Sequence, residues 1–378
     1  MALHVYLKRI VEQREILSRD DARTLMEEIL QGSNQAEDRG SPHAMQLAAL
    51  LGAISARGET SEELAGFVDA MRAAATPVPV PHHERGLLVD TCGTGGDSSG
   101  TFNISTAAAL VAAAAAADAD SIDGSRIMVA KHGNRAVTSQ CGSADVLEAL
   151  GIPVTLSPAA AADALRTLRF AFLHAPSLHP AMKAVMPVRR ALGVRTIFNV
   201  LGPLTNPAGA RAQVMGVYAS RLIPIVAEAM RLLGVRHAFV VHGAVGPHSA
   251  PDNAQIPGLD ELSISGPTEL AEVYGDAITF DRMTPEQVGL HSAPIESLRG
   301  GDAKANAAIL REIFAGEHGP RRDVVLLNAA AVLITAGLIP ASTPFRHEAF
   351  RAGIALAAKT IDSGAVTALV ADLAHMEP

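Results

Sequence analysis

Apolar residues recur at helical spacing through the first 75 positions. In 21–30, DARTLMEEIL, the set Ala22, Leu25, Met26, Ile29 and Leu30 falls on one helical face. Ser18 stands before an acidic first turn and reads as a helix start. Thr60 with Glu63 three positions on has the form of a capping box. Pro77, Pro79 and Pro81 then interrupt regular structure and mark a linker. From Leu87 short Val/Ile/Leu-rich runs alternate with helical stretches, the rhythm of an α/β domain. Strands are expected at 87–90, 126–130, 170–174, 212–217, 238–242 and 277–280. Helices are expected at 105–117, 143–150, 158–168, 221–233, 303–315 and 322–336. The stretch 178–197 breaks this rhythm. Pro180 and Pro187 suit the first turns of helices and Gly193 suits a helix end. A short helical pair is expected there, packed with the N-terminal helices.

The densest chemical signal is 91–106, TCGTGGDSSGTFNIST, between the apolar run Leu87-Leu88-Val89 and an Ala-rich stretch from Ala107. Strand, glycine turn and helix start together make a seat for an anion. Glycines allow close approach of backbone N–H groups, and the helix dipole favours negative charge. The turn is neither G-x-x-x-x-G-K-[ST] nor G-x-G-x-x-G, so the two common nucleotide motifs are excluded. Asn103, Ser105 and Thr106 sit where a helix N-cap belongs and can cap the helix or hold phosphate or metal. Alone, such a turn can also be no more than a tight connection.

Three later segments combine charge, glycine and proline. Lys131-His132-Gly133-Asn134-Arg135 follows an expected strand, where ligands gather in parallel sheets. Lys131 and Arg135 suit phosphate, and His132 and Asn134 suit a hydrogen-bonding substrate; a solvated loop is the plain alternative. Ser139, Cys141, Gly142 and Ser143 open another helix, a second anion seat. Arg189 is either a bidentate grip on a carboxylate or an exposed helix arginine, and Gly202-Pro203 can form a backbone wall for a flat ligand. Asp260-Glu261 repel each other unless a cation or water intervenes, and their oxygens suit Mg²⁺ carried on a phosphate substrate. An acidic surface turn is the alternative.

Composition narrows the field. The chain has 378 residues, 48 % of them hydrophobic, enough for a large core. Net charge is −8, aromatics are 3 % and tryptophan is absent, which argues against nucleic acid as a partner. Cys92 and Cys141 make no disulfide framework and read as small packing residues. The 14 histidines include no H-E-x-x-H, and there is no G-x-S-x-G nucleophile elbow. The first residues carry no signal-peptide core, and the longest apolar run, 107–117, is too short for a bilayer. A soluble cytoplasmic protein is the expectation.

Taken together, DTCGTGGD (90–97), TFNIST (101–106), VAKHGNRAVTSQCGSADVLEALG (129–151), LHPAMKAVMPVRRALGVRTIFNVLGPLTNP (178–207) and GLDELS (258–263) resemble the anthranilate phosphoribosyltransferase family. The blocks stand in the family's order, and the similarity covers nearly the whole chain. The resemblance implies an α/β fold: a large domain with a mainly parallel central sheet flanked by helices, over 82–177 and 198–378. A small all-helical domain would occupy 1–76, joined in space by helices from about 178–197. It implies transfer of the phosphoribosyl group of 5-phosphoribosyl 1-pyrophosphate (PRPP) to the amino group of anthranilate, in tryptophan biosynthesis. By matching position, Gly93, Thr94, Gly95, Gly96, Asp97, Thr101, Asn103, Ser105, Thr106, Lys131, Ser139 and Ser143 would contact the donor. Gly93, His132, Asn134, His179, Arg189 and Pro203 would face anthranilate, and His132 is a candidate proton acceptor. Ser105, Asp260 and Glu261 would hold Mg²⁺. Homodimers through the helical domain are also implied, and no membrane. Thr138 and Cys141 replace common serines and His174 a common phenylalanine. The stretch 244–257 is longer than usual, which puts the geometry of Asp260 and Glu261 in question. A pyrimidine nucleoside phosphorylase or a nucleic-acid-binding relative without this activity are the rival readings.

Overall fold

The computed structural model describes residues 3–32, 41–97, 99–123, 127–136, 140–246, 258–340 and 346–376. Ser139, Thr138 and most of the long stretch 244–257 lie outside the described residues. Seven strands form one sheet: β1 Leu88–Gly93, β2 Met128–Gly133, β3 Phe170–His174, β4 Ala212–Gly216, β5 His237–Gly243, β6 Thr268–Tyr274 and β7 Ala277–Met283. Their order is β3-β2-β1-β4-β5-β6-β7. β1 to β5 run parallel, and β6 and β7 close one edge as an antiparallel hairpin.

Side chains alternate between the two faces of a strand. Val89, Val129, Phe172, Val214 and Phe239 enter a core formed with helices Ile104–Asp123, Pro320–Ala336 and Arg346–Asp362. Their strand neighbours Leu88, Met128 and Ala171 face helix Pro158–Leu168 instead. Met215, Ala238 and Val240 face a third cluster, with helix Leu222–Leu232 and the N-terminal helices. Every residue from 107 to 116 is at most 2 % exposed, so the alanine run is a core helix. Among the described residues no single helix is long and apolar enough to cross a membrane.

The N-terminal helices are Leu3–Val11, Arg19–Gln31, Pro42–Arg57 and Ser61–Ala74. The expected caps are present: Ser18 accepts from the Asp21 N–H, and Thr60 and Glu63 bond reciprocally. Val185 and Val188 of helix Val185–Leu192, and Phe198 and Leu201 of helix Phe198–Leu204, share the buried cluster of the N-terminal helices.

Some expectations need correction. β6 had no counterpart in the sequence reading: TELAEVY carries two glutamates, which mask its strand pattern. Its Glu272 is buried because His237 and Arg346 hold the carboxylate at 2.9 and 2.8 Å. Both prolines stand in first turns as expected: Pro187 is the third residue of helix Val185–Leu192, and Pro180 opens a 3-10 turn, Pro180–Ala184. The alanine helix runs to Asp123, and two further helices, Arg346–Asp362 and Ala365–Ala374, follow position 336.

The chain leaves β1 for β2 and β3 on one side, then returns to β4 on the other. In such a sheet the crevice for a ligand lies at this switch, outside the carboxyl ends of β1 and β4.

Candidate active site

Gly93 ends β1 and pairs in register with Gly216, which ends β4. Neither position has room for a side chain. A Cβ on Gly93 would lie 2.2 Å from Asp260 Oδ2, and one on Gly216 would lie 1.6 Å from the Asp260 carbonyl oxygen. The bare strand ends let the segment 258–261 cross the mouth of the switch. Reciprocal Gly243–Leu259 bonds of 2.9 and 2.7 Å clamp that segment to the end of β5.

The glycine turn lies beneath it. Gly95 and Gly96 have φ of +69° and +75°, a left-handed conformation that suits glycine. The Gly95 N–H donates to Asp260 Oδ2 at 2.6 Å. The Ser105 N–H, in the first turn of helix Ile104–Asp123, donates to Glu261 Oε1 at 3.1 Å. From β2 the buried Lys131 Nζ donates to the Thr91 carbonyl at 2.7 Å and to Ser105 Oγ at 3.2 Å. Burial pushes the Glu261 carboxyl up to about 7, although Lys131 and the Ser105 N–H oppose the shift. Asp260 is driven well above the carboxylate range by burial and by repulsion from Asp97 and Glu261. Burial lowers Lys131, while the surrounding acids act to raise it. Lys131 and Asp260 are buried, Ser105 and Glu261 half-buried and Gly95 exposed, so the cluster sets crowded carboxyls that resist ionisation beside aimed N–H groups.

A second cluster sits one strand away. Asp90, fully buried in β1, accepts from the His132 N–H at 3.1 Å and from Asn206 Nδ2 at 2.9 Å. Asn206 Nδ2 also donates to the Ala130 carbonyl at 2.8 Å, so one amide ties β1 and β2 to the loop after helix Phe198–Leu204. The His132 and His179 rings stand 5.1 Å apart, centre to centre. Burial lowers them to about 3 and about 4, so both imidazoles are neutral at physiological pH. Among the described residues the Nε2 atom of each is buried without a hydrogen-bond partner.

Similarity to known proteins decides the family. Residues 5–75 match the glycosyl transferase family helical bundle domain and 85–367 its a/b domain. The chain is 45 % identical over 374 residues to an anthranilate phosphoribosyltransferase of Solibacter usitatus, covering 99 % of this chain and 98 % of that one. It is 48 % identical over 325 residues to that of Symbiobacterium thermophilum, 86 % of each chain. The chain belongs to the anthranilate phosphoribosyltransferase family. The family's enzyme from Thermus thermophilus has the same fold, with TM-score 0.82, 40 % identity and coverage of 99 % and 98 %. So does that of Saccharomyces cerevisiae in complex with PRPP and Mg, with TM-score 0.81, 26 % identity and coverage of 98 % and 97 %.

Of the positions matched to the family's donor site, Gly93 to Asp97, Ser105 and Lys131 converge with Asp260 and Glu261 at the switch. Thr94 Oγ1 accepts from the Tyr218 N–H at 3.0 Å, joining the turn to the end of β4. Thr106 is buried, its hydroxyl without a partner among the described residues. Ser143 is the first residue of helix Ser143–Ala149. Thr101 bridges to Arg299. Asn103 stands at the helix start, its carbonyl accepting from the Ala107 N–H at 3.1 Å, but its side chain bonds Cys141 and Asn306 rather than the helix. On the acceptor side, His132 and His179 are adjacent. Asn134 is exposed, with Oδ1 accepting from the Arg135 N–H at 2.7 Å. The Pro203 carbonyl accepts from Gln213 at 2.7 Å. Arg189 packs over the Phe198 ring at 5.3 Å and has no ion pair among the described residues. Arg135 does not reach for phosphate, since Glu148 and Asp145 hold it at 2.6 and 3.2 Å. Burial raises both thiols, Cys92 strongly and Cys141 to about 11, which fits packing roles.

Sequence reasoning missed Asp90, Asn206, Gly216, Arg195 and Asn306. Asp90 and Asn206 stood inside the quoted blocks, but only the fold shows that they meet. Arg195 donates to the Gly96 carbonyl and covers the Tyr218 ring at 4.5 Å.

Proposed function

We propose that PRPP binds with its pyrophosphate and Mg²⁺ at the β1/β4 switch, and that anthranilate approaches from the His132–His179 side. The chain then transfers the phosphoribosyl group to the anthranilate amine and releases pyrophosphate. The observation that carries this reading is the meeting of the glycine turn, Lys131 and the Asp260–Glu261 pair above two bare strand ends.

Cleavage at the ribose C1 passes through an oxocarbenium-like transition state, as in glycoside hydrolysis. Negative charge then collects on the departing pyrophosphate. The N–H groups of the glycine turn, the N-terminal turn of helix Ile104–Asp123 and Lys131 are fixed in advance to meet it. Asp260, Glu261 and Ser105 supply hard oxygens that fit Mg²⁺, and their surplus charge is what a divalent ion would offset. Bound there, Mg²⁺ would neutralise charge on the leaving group. Among the described residues no three His, Cys, Asp or Glu side chains converge to cage an ion. The pair therefore suits a metal that brings oxygen ligands of its own on the donor.

The aromatic amine attacks uncharged, so the proton is lost after or during bond formation. Neutral His132 Nε2 is a buried acceptor for it. A positively charged arylammonium is a strong acid, so a weak base suffices. His132→Ala is expected to lower kcat by about 10²-fold. Unchanged turnover at saturating substrate would leave water as the acceptor.

Arg189 is the cation assigned to the anthranilate carboxylate. The direct test is to incubate protein, PRPP, Mg²⁺ and anthranilate and follow the loss of anthranilate fluorescence. No loss under any metal condition refutes the function. In the same assay Arg189→Ala should raise the KM for anthranilate by about tenfold or more, with donor KM little altered. A rise confined to the donor would reverse the assignment.

Val11, Ile16 and Met45 are 54 %, 59 % and 58 % exposed in the helical part, and we assign them to a homodimer contact. Light scattering should give a dimer mass that Met45→Glu converts to a monomer. A wild-type monomer at assay concentration would dismiss the contact.

A further inference from the structure

Asn306 lies on helix Ala303–Phe314, outside every segment matched to a substrate above, and is 2 % exposed. Its Oδ1 accepts the Gly301 N–H at 2.7 Å. A backbone N–H can only donate, so the amide of Asn306 is held one way round, oxygen toward Gly301 and nitrogen away. Nδ2 donates to Asn103 Oδ1 at 2.9 Å. Asn103 is oriented in turn, with Nδ2 donating to the Cys141 carbonyl at 3.3 Å. The same segment splints the glycine turn through its backbone. Gly300 N–H donates to the Gly100 carbonyl at 3.0 Å, and Phe102 N–H to the Leu298 carbonyl at 3.1 Å. A Cβ at Gly300 would lie 2.7 Å from Asn306 Oδ1 and from Phe102 Cα, so the segment sits against the turn with no space between.

Asn103 is the last residue before helix Ile104–Asp123, and Cys141 stands just before helix Ser143–Ala149. An asparagine between two helix starts can offer an anion either N–H groups or lone pairs, and only the first attracts phosphate. We propose that Asn306 is a positioning residue for the donor: it fixes the amide of Asn103 so that Nδ2 faces the phosphate site, tying the two phosphate loops together. One Nδ2 hydrogen goes to Cys141, and the second serves a phosphate oxygen. This inference rests on the donor site assigned above.

The test is N306D. It keeps an oxygen for Gly301 but replaces the N–H group facing Asn103 with a carboxylate oxygen. The Asn103 amide then reverses and turns its oxygen toward the phosphate. Donor KM should rise by about tenfold or more, the scale of one hydrogen bond to a charged group. Anthranilate KM should stay within about twofold. The introduced carboxyl regains a hydrogen-bond donor when protonated. The ratio of variant to wild-type donor KM should therefore fall between about pH 8 and about pH 5. Where N306D does not fold, Asn306→Ala frees the Asn103 amide without adding charge, and donor KM should rise selectively but with no recovery in acid. Donor KM within about twofold of wild type in a folded variant overturns the inference. So does a joint rise in both KM values with a lowered unfolding midpoint, which marks a purely structural residue. Wild-type protein that does not consume PRPP would instead defeat the functional assignment itself.

Discussion

Lys131→Met is expected to lower kcat/KM for PRPP by about 10³-fold or more, the equivalent of about 4 kcal/mol. Lys131 is 1 % exposed and is the cation common to Asp90, Asp260 and Glu261 in the charge balance of the site. Methionine fills the volume but leaves buried carboxyls without a counter-charge, a change that costs about 3–5 kcal/mol when one partner of a buried pair is removed. Part of that cost falls on binding, because the leaving pyrophosphate loses its buried cation. Part falls on stability, with a definite dependence on pH. Asp90 and Glu261 are raised to about 6 and about 7 in the folded protein with lysine present. An acid whose folded pKa lies above its unfolded value costs nothing when protonated in both states. It destabilises the fold as pH rises through the folded value. Removing Lys131 raises both further. The stability deficit of Lys131→Met should therefore be largest above pH 7 and shrink in acid, as read from urea unfolding of variant and wild type side by side. Activity within tenfold of wild type would show that the ammonium does not serve the donor.

Gly216→Ala should be nearly as damaging, although it adds one methyl group. The new Cβ would meet the Asp260 carbonyl oxygen at 1.6 Å, its carbon at 2.1 Å and Cα at 2.9 Å. These are backbone atoms, so no rotamer change relieves the contact. The crossing segment must lift, taking Asp260 off the Gly95 N–H and Glu261 off the Ser105 N–H. A displacement of about 1 Å in an active site costs about 10²-fold in rate. The Mg²⁺ concentration for half-maximal rate should rise as well. Gly52→Ala makes the control: nothing lies within 4 Å of that position, on helix Pro42–Arg57. It should leave activity unchanged and stabilise the helix by up to about 1 kcal/mol. Equal activity of the two variants would mean that the crossing segment is not needed where it stands.

Much of the sheet was legible because buried parallel strands read as short apolar runs, LLV before the glycine turn and IMVA before Lys131. β6 escaped because its buried glutamate, Glu272, finds partners on other elements, His237 on β5 and Arg346 on a helix far along the chain. The pairing of phosphate loops with the Asp-Glu pair was visible as blocks in order. Which atoms meet was not. Asp260 reaches Gly95 across 165 residues and Asn306 reaches Asn103 across 203, separations that no local pattern encodes. Arg135 looked like a phosphate cation because its partner Glu148 lies 13 positions on, at the far end of another element. Asn103 was legible as a helix start, but the partners of its side chain, Cys141 and Asn306, are 38 and 203 positions away.

Those separations bear on how the molecule is made. Contacts between distant parts of a chain form after a large loss of chain entropy, and folds rich in them assemble slowly. A growing chain that has completed β1 to β4 already carries the glycine turn and Lys131. It lacks both carboxylates and the Asn306 splint. On the donor site proposed above, the ability to hold PRPP with Mg²⁺ would arise only after these later segments are made, and the ligand would then select finished molecules over partly assembled ones.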